Sequence, residues 1–147
     1  MGSVLIRADG SVDLGHGHIF RTLVIADELA ARGHVVSYLC RDFPGAPLDR
    51  IRRAGYKIDL LHHSLSEERE AREFCRIARD QAVNTVIIDR YATPPETYKM
   101  LGDLGLRVVA IDDMCSHRFP VDILVNQNTD ATSLPYVTLP TTKKLLG

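Results

Sequence analysis

The sequence predicts an α/β protein with a Rossmann-like, doubly wound parallel sheet. Short apolar runs alternate with longer segments whose apolar residues recur every three to four positions. This alternation is typical of strands and helices that follow one another in a parallel sheet, where the strands are covered on both faces. Six strand candidates joined by right-handed connections give a doubly wound sheet.

The first half of the chain predicts three strands and two helices. Apolar residues at Ile19, Leu23 and Ala26 lie on one face of the first helix, and Gly33 is placed to end it in a left-handed conformation. In chain order the elements are a strand over 4–8, a helix over 18–32, a strand over 34–40, a short helix over 48–54 and a strand over 57–61.

Two capping patterns predict where the later helices begin. Ser64 with Glu67 forms a possible capping box for a helix that ends near Ala82, and Thr93 with Glu96 forms another, with Pro94 at its first helical position. The remaining strands are expected over 85–88, 107–111 and 122–125. Beyond them the periodicity stops. We therefore expect a Rossmann-like domain over 1–128 and a linker or tail over 129–147.

Composition excludes several classes of protein. The 147 residues carry a formal net charge of -1 and no basic cluster interleaved with aromatic residues, so we expect no nucleic-acid partner. No apolar run is long enough for a membrane span, and the first residues lack the features of a signal peptide. Three scattered cysteines fit small buried residues in a reducing compartment. We expect a cytoplasmic protein with no membrane contact.

Polar residues follow several predicted strands at the points where the strands end. Asp9 follows the first strand, Asp89–Tyr91 the fourth and Asp112–Asp113 the fifth, while the loop Gly15–His18 precedes the first helix. Ligands of doubly wound sheets bind outside the carboxyl ends of the strands. We therefore expect these four groups to meet along one edge.

Two familiar kinds of site fit this loop poorly. A dinucleotide site would need a third glycine where Phe20 stands, and the loop is long for a tight pyrophosphate turn, although Asp42 follows the second strand. A metal site at His16 and His18 would need a better ligand spacing. His62, His63 and His117 stand alone in the sequence. We predict no metal and no cofactor.

A catalytic base at His18 is the remaining functional interpretation. In the first turn of a helix, His18 faces the positive end of the helix dipole, which favours the neutral imidazole that can accept a proton from water. Tyr91 could orient that water from another loop. A His18 that only caps the helix or packs in the core, and a Tyr91 that is only a half-buried aromatic residue, fit the same positions. Arg21 fits a solvated helix residue on the His18 side.

Four stretches of the chain together resemble the N-terminal half of a family of nucleotide-sugar hydrolases. They are IRADGSVDLGHGHIFRTLVIADEL, VIIDRYA, VVAIDD and DILVNQN. The family is UDP-2,4-diacetamido-2,4,6-trideoxy-β-L-altropyranose hydrolase of pseudaminic acid biosynthesis, with related spore coat polysaccharide biosynthesis proteins. The first stretch, with Arg-x-Asp before Gly-x-Gly-His-x-x-Arg, is its most specific part.

The resemblance implies the N-terminal half of a two-domain glycosyltransferase-B-type fold and the release of UDP from a UDP-linked amino-deoxy sugar. Water would attack the anomeric carbon with inversion and without a metal. By this resemblance His18 is the catalytic base, Tyr91 helps to place the water, and Asp9, Gly17 and Arg21 are substrate-binding residues.

The second, nucleotide-binding domain of the family has no counterpart in these residues, and KKLLG resembles the start of the segment that leads into it. The resemblance therefore implies a sugar-side half that works poorly alone, because remote binding energy supports turnover. A complementing C-terminal domain is a possible partner. A glycosyltransferase half-domain and a noncatalytic sugar-binding or scaffolding module remain alternatives.

Overall fold

Seven parallel strands form the main sheet of the protein. A computed structural model describes all 147 residues. The chain has nine strands, of which the sixth and the eighth lie outside the main sheet. In chain order they are β1 (Ser3–Ala8), β2 (Val35–Arg41), β3 (Lys57–Leu61), β4 (Thr85–Asp89), β5 (Arg107–Ile111), β6 (Arg118–Phe119), β7 (Ile123–Asn126), β8 (Val137–Thr138) and β9 (Lys143–Leu146). The main sheet runs β3-β2-β1-β4-β5-β7-β9, with all neighbouring strands parallel.

Helices cover both faces of this sheet. They are α1 (Gly17–Ala31), α2 (Leu48–Arg53), α3 (Glu67–Asp80) and α4 (Pro95–Asp103), and Ala131–Ser133 form a short 3-10 helix. Residues of α1 and α2 pack with Val4 and Ile6 of β1 on one face. Residues of α3 and α4 pack with Leu5 of β1 on the other. Because successive strand residues point to opposite faces, one apolar strand supplies both cores.

The predicted fold class and the six predicted strands are confirmed. Gly33 ends α1 with a φ of 86°, and its N–H donates to the Ala30 carbonyl at 2.9 Å. From β1 the strand order runs outward to β3 and then returns to β4 on the other side. The gap between the carboxyl ends of β1 and β4 is therefore the topological switch point, where doubly wound sheets bind ligands.

Both predicted helix caps are wrong. The cap of α3 is Ser66 rather than Ser64, and the Ser66 hydroxyl accepts the N–H of Arg69. The cap of α4 is Pro94, which leaves the helix without a side-chain cap and puts Pro95 in its first turn. Pro95 follows Pro94 directly, and a residue before proline favours an extended conformation, so the helix begins one residue later than predicted.

Residues 129–147 contain more structure than a linker or tail. Strand β9 pairs with β7 from Ile123 opposite Lys143 to Asn126 opposite Leu146, and so forms the last strand of the main sheet. Strand β8 pairs with β6 in a separate two-stranded sheet. A division into a domain over 1–128 and a segment that leads to a second domain stays a prediction. None of the helices combines the length and apolar character that crossing a membrane requires.

Candidate functional site

His18 and Asp89 meet at the switch point between β1 and β4. His18 lies in the first turn of α1, which follows β1, and Asp89 is the last residue of β4. Because Ala8 pairs with Asp89 across the two parallel strands, the start of α1 lies over the end of β4. His18 Nδ1 is 2.6 Å from Asp89 Oδ1. The Asp89 carboxylate is fully buried, and His18 is 7% exposed.

Arg21 binds the same carboxylate from the next turn of α1. Its Nε donates to Asp89 Oδ2, and its Nη1 lies 3.5 Å from Asp113 Oδ2. Its Nη2 lies 3.2 Å from His18 Nδ1. A spacing of three residues on a helix brings His18 and Arg21 to one side, as the sequence predicts.

Tyr91 lies against the His18 ring from the loop after β4. The two rings meet edge to face, with centroids 4.6 Å apart and planes at 79°. Tyr91 is 43% exposed, so it forms part of the outer wall of the site. Partial burial of the phenol, together with the charge of Asp113, raises the pKa of Tyr91 above its ordinary value of 10.0. Its hydroxyl therefore stays protonated near neutral pH and can donate a hydrogen bond.

Gly17 opens the other side of the site. It is the first residue of α1, and a Cβ added to it would meet no atom within 4 Å. His16 caps the helix without a side-chain hydrogen bond, so the first N–H groups of α1 have no capping side chain. The Nε2 of His16 lies 3.1 Å from the Gly45 carbonyl oxygen, whereas His18 contacts Asp89. The two histidines of the loop therefore have separate surroundings.

Asp9 does not join this group. Both of its oxygens accept from the buried Arg7 guanidinium, at 2.6 and 2.8 Å, and Oδ1 also accepts the N–H of Arg41. Glu70 binds Arg7 and Arg41 from α3, and Arg90 lies close to both acids. These contacts hold the ends of β1 and β2 together. A contact between Asp9 and a substrate stays a prediction, and the Asp9 hydrogen bonds give it no support.

Two residues of the site were expected at this edge but were given no role by the sequence. Asp89 and Asp113 are visible in the sequence only as acids at strand ends, and the sequence cannot show which side chain each one contacts. One oxygen of Asp113, Oδ1, is buried without a hydrogen-bond partner. Asp112, by contrast, accepts the N–H groups of Met114 and Cys115 and so caps the turn.

A large cavity of the protein lies elsewhere. It has a volume of about 770 Å³ and is lined by Gly2, His34, Asn84 and Arg107, among others, at the amino-terminal edge of the sheet. His34 Nδ1 already accepts the N–H of Gly2 there. The carboxyl edge brings together a histidine, an arginine and two acids. We therefore place the candidate site at the carboxyl edge, on its chemistry rather than on cavity size.

The comparisons with known proteins agree with this fold and with the predicted resemblance. No family model matches the chain. Over 134 residues, 90% of its length, the chain is 29% identical to a UDP-2,4-diacetamido-2,4,6-trideoxy-beta-L-altropyranose hydrolase of Campylobacter jejuni. The match spans 44% of that protein. The resemblance to the N-terminal part of this hydrolase is thereby confirmed.

A solved structure shows the same architecture. The crystal structure of Acinetobacter baumannii MurG superposes on the chain with a TM-score of 0.71 at 16% identity, covering 99% of this chain and 44% of MurG. The likeness confirms the predicted fold class, the Rossmann-like half of a two-domain glycosyltransferase-B-type fold. The chain thus spans less than half the length of both proteins.

Proposed function

We propose that this chain is the sugar-side domain of a nucleotide-sugar hydrolase, with His18 as the general base. The observation that carries the proposal is the 2.6 Å contact between His18 Nδ1 and the buried Asp89 carboxylate. The similarity to the Campylobacter jejuni hydrolase supplies the substrate class, a UDP-linked amino-deoxy sugar.

The His18–Asp89 contact supports the role of a proton acceptor. An ionised carboxylate only accepts hydrogen bonds, so in neutral His18 the hydrogen lies on Nδ1 and the lone pair on Nε2. A water held at Nε2 gives up its proton while its oxygen bonds to the anomeric carbon. The bond from that carbon to the phosphate oxygen breaks, and UDP leaves with the electron pair. General base catalysis of this kind contributes about 10²–10⁴-fold in rate.

The charges around His18 favour this proton transfer. One arginine, Arg21, stands against two carboxylates, Asp89 and Asp113. With neutral His18 the group carries one net negative charge, and protonation of His18 neutralises it. The imidazolium ion that His18 becomes in the reaction is therefore stabilised by carboxylates that are already in place. Electrostatic stabilisation of this kind requires no reorganisation of the site during the step.

Tyr91 and Asp113 provide the remaining polar groups at the opening. The protonated Tyr91 hydroxyl can hold the attacking water, since the ring already lies against His18. A rotation of the partly exposed Asp113 side chain would let its unpartnered Oδ1 accept a hydrogen bond from a sugar hydroxyl or acetamido N–H. Gly17 leaves room for the sugar beside α1. We propose that the UDP moiety is bound chiefly by a second, complementing domain.

The test is UDP release from UDP-linked amino sugars by the 147-residue chain, alone and together with a complementing nucleotide-binding domain. In water enriched in ¹⁸O, attack at the anomeric carbon places the label on the released sugar. Label on the UDP phosphate would contradict the proposed reaction. If UDP were released only when an acceptor sugar is added, the protein would be a transferase, and if no UDP-sugar were turned over, the noncatalytic alternative would stand.

The role of Asp89 has its own control. Asp89→Asn preserves the shape of the side chain but removes the charge that orients and balances His18, so we expect turnover to fall about 10²-fold or more. Asp80→Asn changes an exposed aspartate that pairs with Arg76 on α3, and should leave turnover unchanged. Equal rates for the two variants would contradict the dyad.

A further inference from the structure

A second polar cluster lies at the outer end of the same carboxyl edge. Asp42 directly follows β2, and His62 and His63 directly follow β3. Since Arg41 and Leu61 are paired across these parallel strands, the residues that follow them are brought side by side. One ligand atom from each of the three residues lies within 4.8 Å of the other two. Sequence spacing alone does not show that these two histidines lie beside Asp42.

The cluster is held together by its own backbone and neighbours. The His63 N–H donates to Asp42 Oδ1 at 2.6 Å, and His63 Nδ1 lies 3.1 Å from the same oxygen. The His62 and His63 rings stack, with centroids 4.3 Å apart at 28°. His62 Nδ1 lies 2.7 Å from Ser64 Oγ. This contact orients the ring through Nδ1 and leaves Nε2 free.

These donors suit a transition-metal ion. Imidazole nitrogen with one carboxylate oxygen is a ligand set that Zn²⁺, Co²⁺ and Ni²⁺ prefer, whereas Mg²⁺ and Ca²⁺ require oxygen ligands. Ligand atoms bonded to one tetrahedral zinc at about 2.1 Å lie about 3.4 Å apart. The 3.1 Å between His63 Nδ1 and Asp42 Oδ1 is close to this spacing. A ring nitrogen of the exposed His62 lies within 4.8 Å of ligand atoms of Asp42 and His63, so a small shift of its side chain would complete the set.

We propose that Asp42, His62 and His63 bind one divalent transition-metal ion of the zinc type, with water in the remaining position. The ion would replace the hydrogen bond between Asp42 and His63 and tie the loop after β2 to the loop after β3. In the metal-bound form the Nδ1–H of His62 would donate to Ser64 Oγ, which is the supporting contact that such ligands usually have. The site does not depend on the proposed hydrolase function.

The test is calorimetric titration of the 147-residue chain with Zn²⁺ near pH 7.5. We expect one saturable site, weakened at least about tenfold by His62→Gln and by His63→Gln, because each removes one ligand. Asp42→Asn should weaken it as well. His16→Gln is the matched control, since His16 is an exposed histidine of another loop. It should bind Zn²⁺ as the unchanged chain does.

A melting experiment separates this site from incidental binding. Zn²⁺ at about 100 times its Kd should raise the Tm of the unchanged chain by about 5 °C or more, and should raise the Tm of His63→Gln by about half as much or less. All substituted residues are exposed, so circular dichroism should show unchanged folds. Absence of saturable binding below about 1 mM would overturn the proposal, and so would binding by the His62 and His63 variants as tight as that of the unchanged chain.

Discussion

Glu70 holds three arginines together beneath the carboxyl edge, so its charge should be important for stability. Glu70 is 3% exposed, and Arg7 is fully buried. Arg7 Nε donates to Glu70 Oε1 at 2.8 Å, Arg41 Nε to Oε2 at 2.6 Å, and Arg90 Nη1 lies 3.2 Å from Oε1. In Glu70→Gln the volume is kept, but the three arginines face only the remaining acids.

The expected loss is about 3–5 kcal/mol, the usual cost of removing one partner of a buried ion pair. For a chain of this size each kcal/mol lowers Tm by about 2–4 °C, so the Tm should fall by about 6–20 °C. Urea unfolding followed by circular dichroism gives the free energy directly. Glu68→Gln is the matched control on the same helix, because Glu68 forms an exposed pair with Arg72 worth at most about 0.5 kcal/mol. A Glu70→Gln chain within about 1 kcal/mol of the unchanged protein would refute this reasoning.

Three further predictions concern pH, the glycine beside His18 and a helix cap. Burial of Asp9 opposes its ionisation, but the charge and hydrogen bonds of Arg7 outweigh this and lower the pKa of Asp9 below 3.8. The ionised Asp9 should therefore contribute its full stabilisation above about pH 5, and this contribution should be lost as the pH falls through the lowered folded-state pKa. In Asp9→Asn, the free energy of unfolding should depend less on pH in this range. Gly17→Ala should leave the Tm unchanged within about 2 °C, because the added Cβ has open space. It should raise KM for the UDP-sugar, because the Cβ would occupy space that we assign to the sugar. An unchanged KM would contradict close approach of the sugar to Gly17. Ser66→Ala removes the only hydrogen bond that caps α3 through a side chain and should cost about 1 kcal/mol in urea unfolding, whereas Ser64→Ala should cost less.

The order of strands and helices was predictable because it depends on short-range pattern. Strands buried on both faces must be continuously apolar, and helices that cover them must have an apolar face, so both leave a clear signal in the sequence. Strand β9 leaves a weaker signal in the sequence. It is the last strand of the sheet, with no neighbour beyond it, and two of its four residues, Lys143 and Lys144, are exposed lysines. Lysine is common on edge strands but not characteristic of strands in general.

The contacts within the sites were harder to predict than the edge on which they lie. The rule that ligands bind at the carboxyl ends of strands placed His18, Tyr91 and Asp89 on one edge. It could not show that Asp89, 71 residues away, would orient His18, or that Asp9 would instead bind Arg7. Such pairings depend on which side chains come within hydrogen-bond distance of one another in the folded chain. Sequence spacing carries no such information.

Kinetics of UDP release by the chain together with a complementing nucleotide-binding domain, with His18→Ala and His16→Ala measured side by side, test the central claim most directly. His16 is exposed, and its ring contacts the Gly45 carbonyl oxygen rather than Asp89, so its variant should keep kcat/KM within about twofold. His18→Ala should lower kcat by about 10²–10⁴-fold, the range for loss of a general base. A His18→Ala enzyme with nearly full kcat would contradict the assignment of His18 as the base.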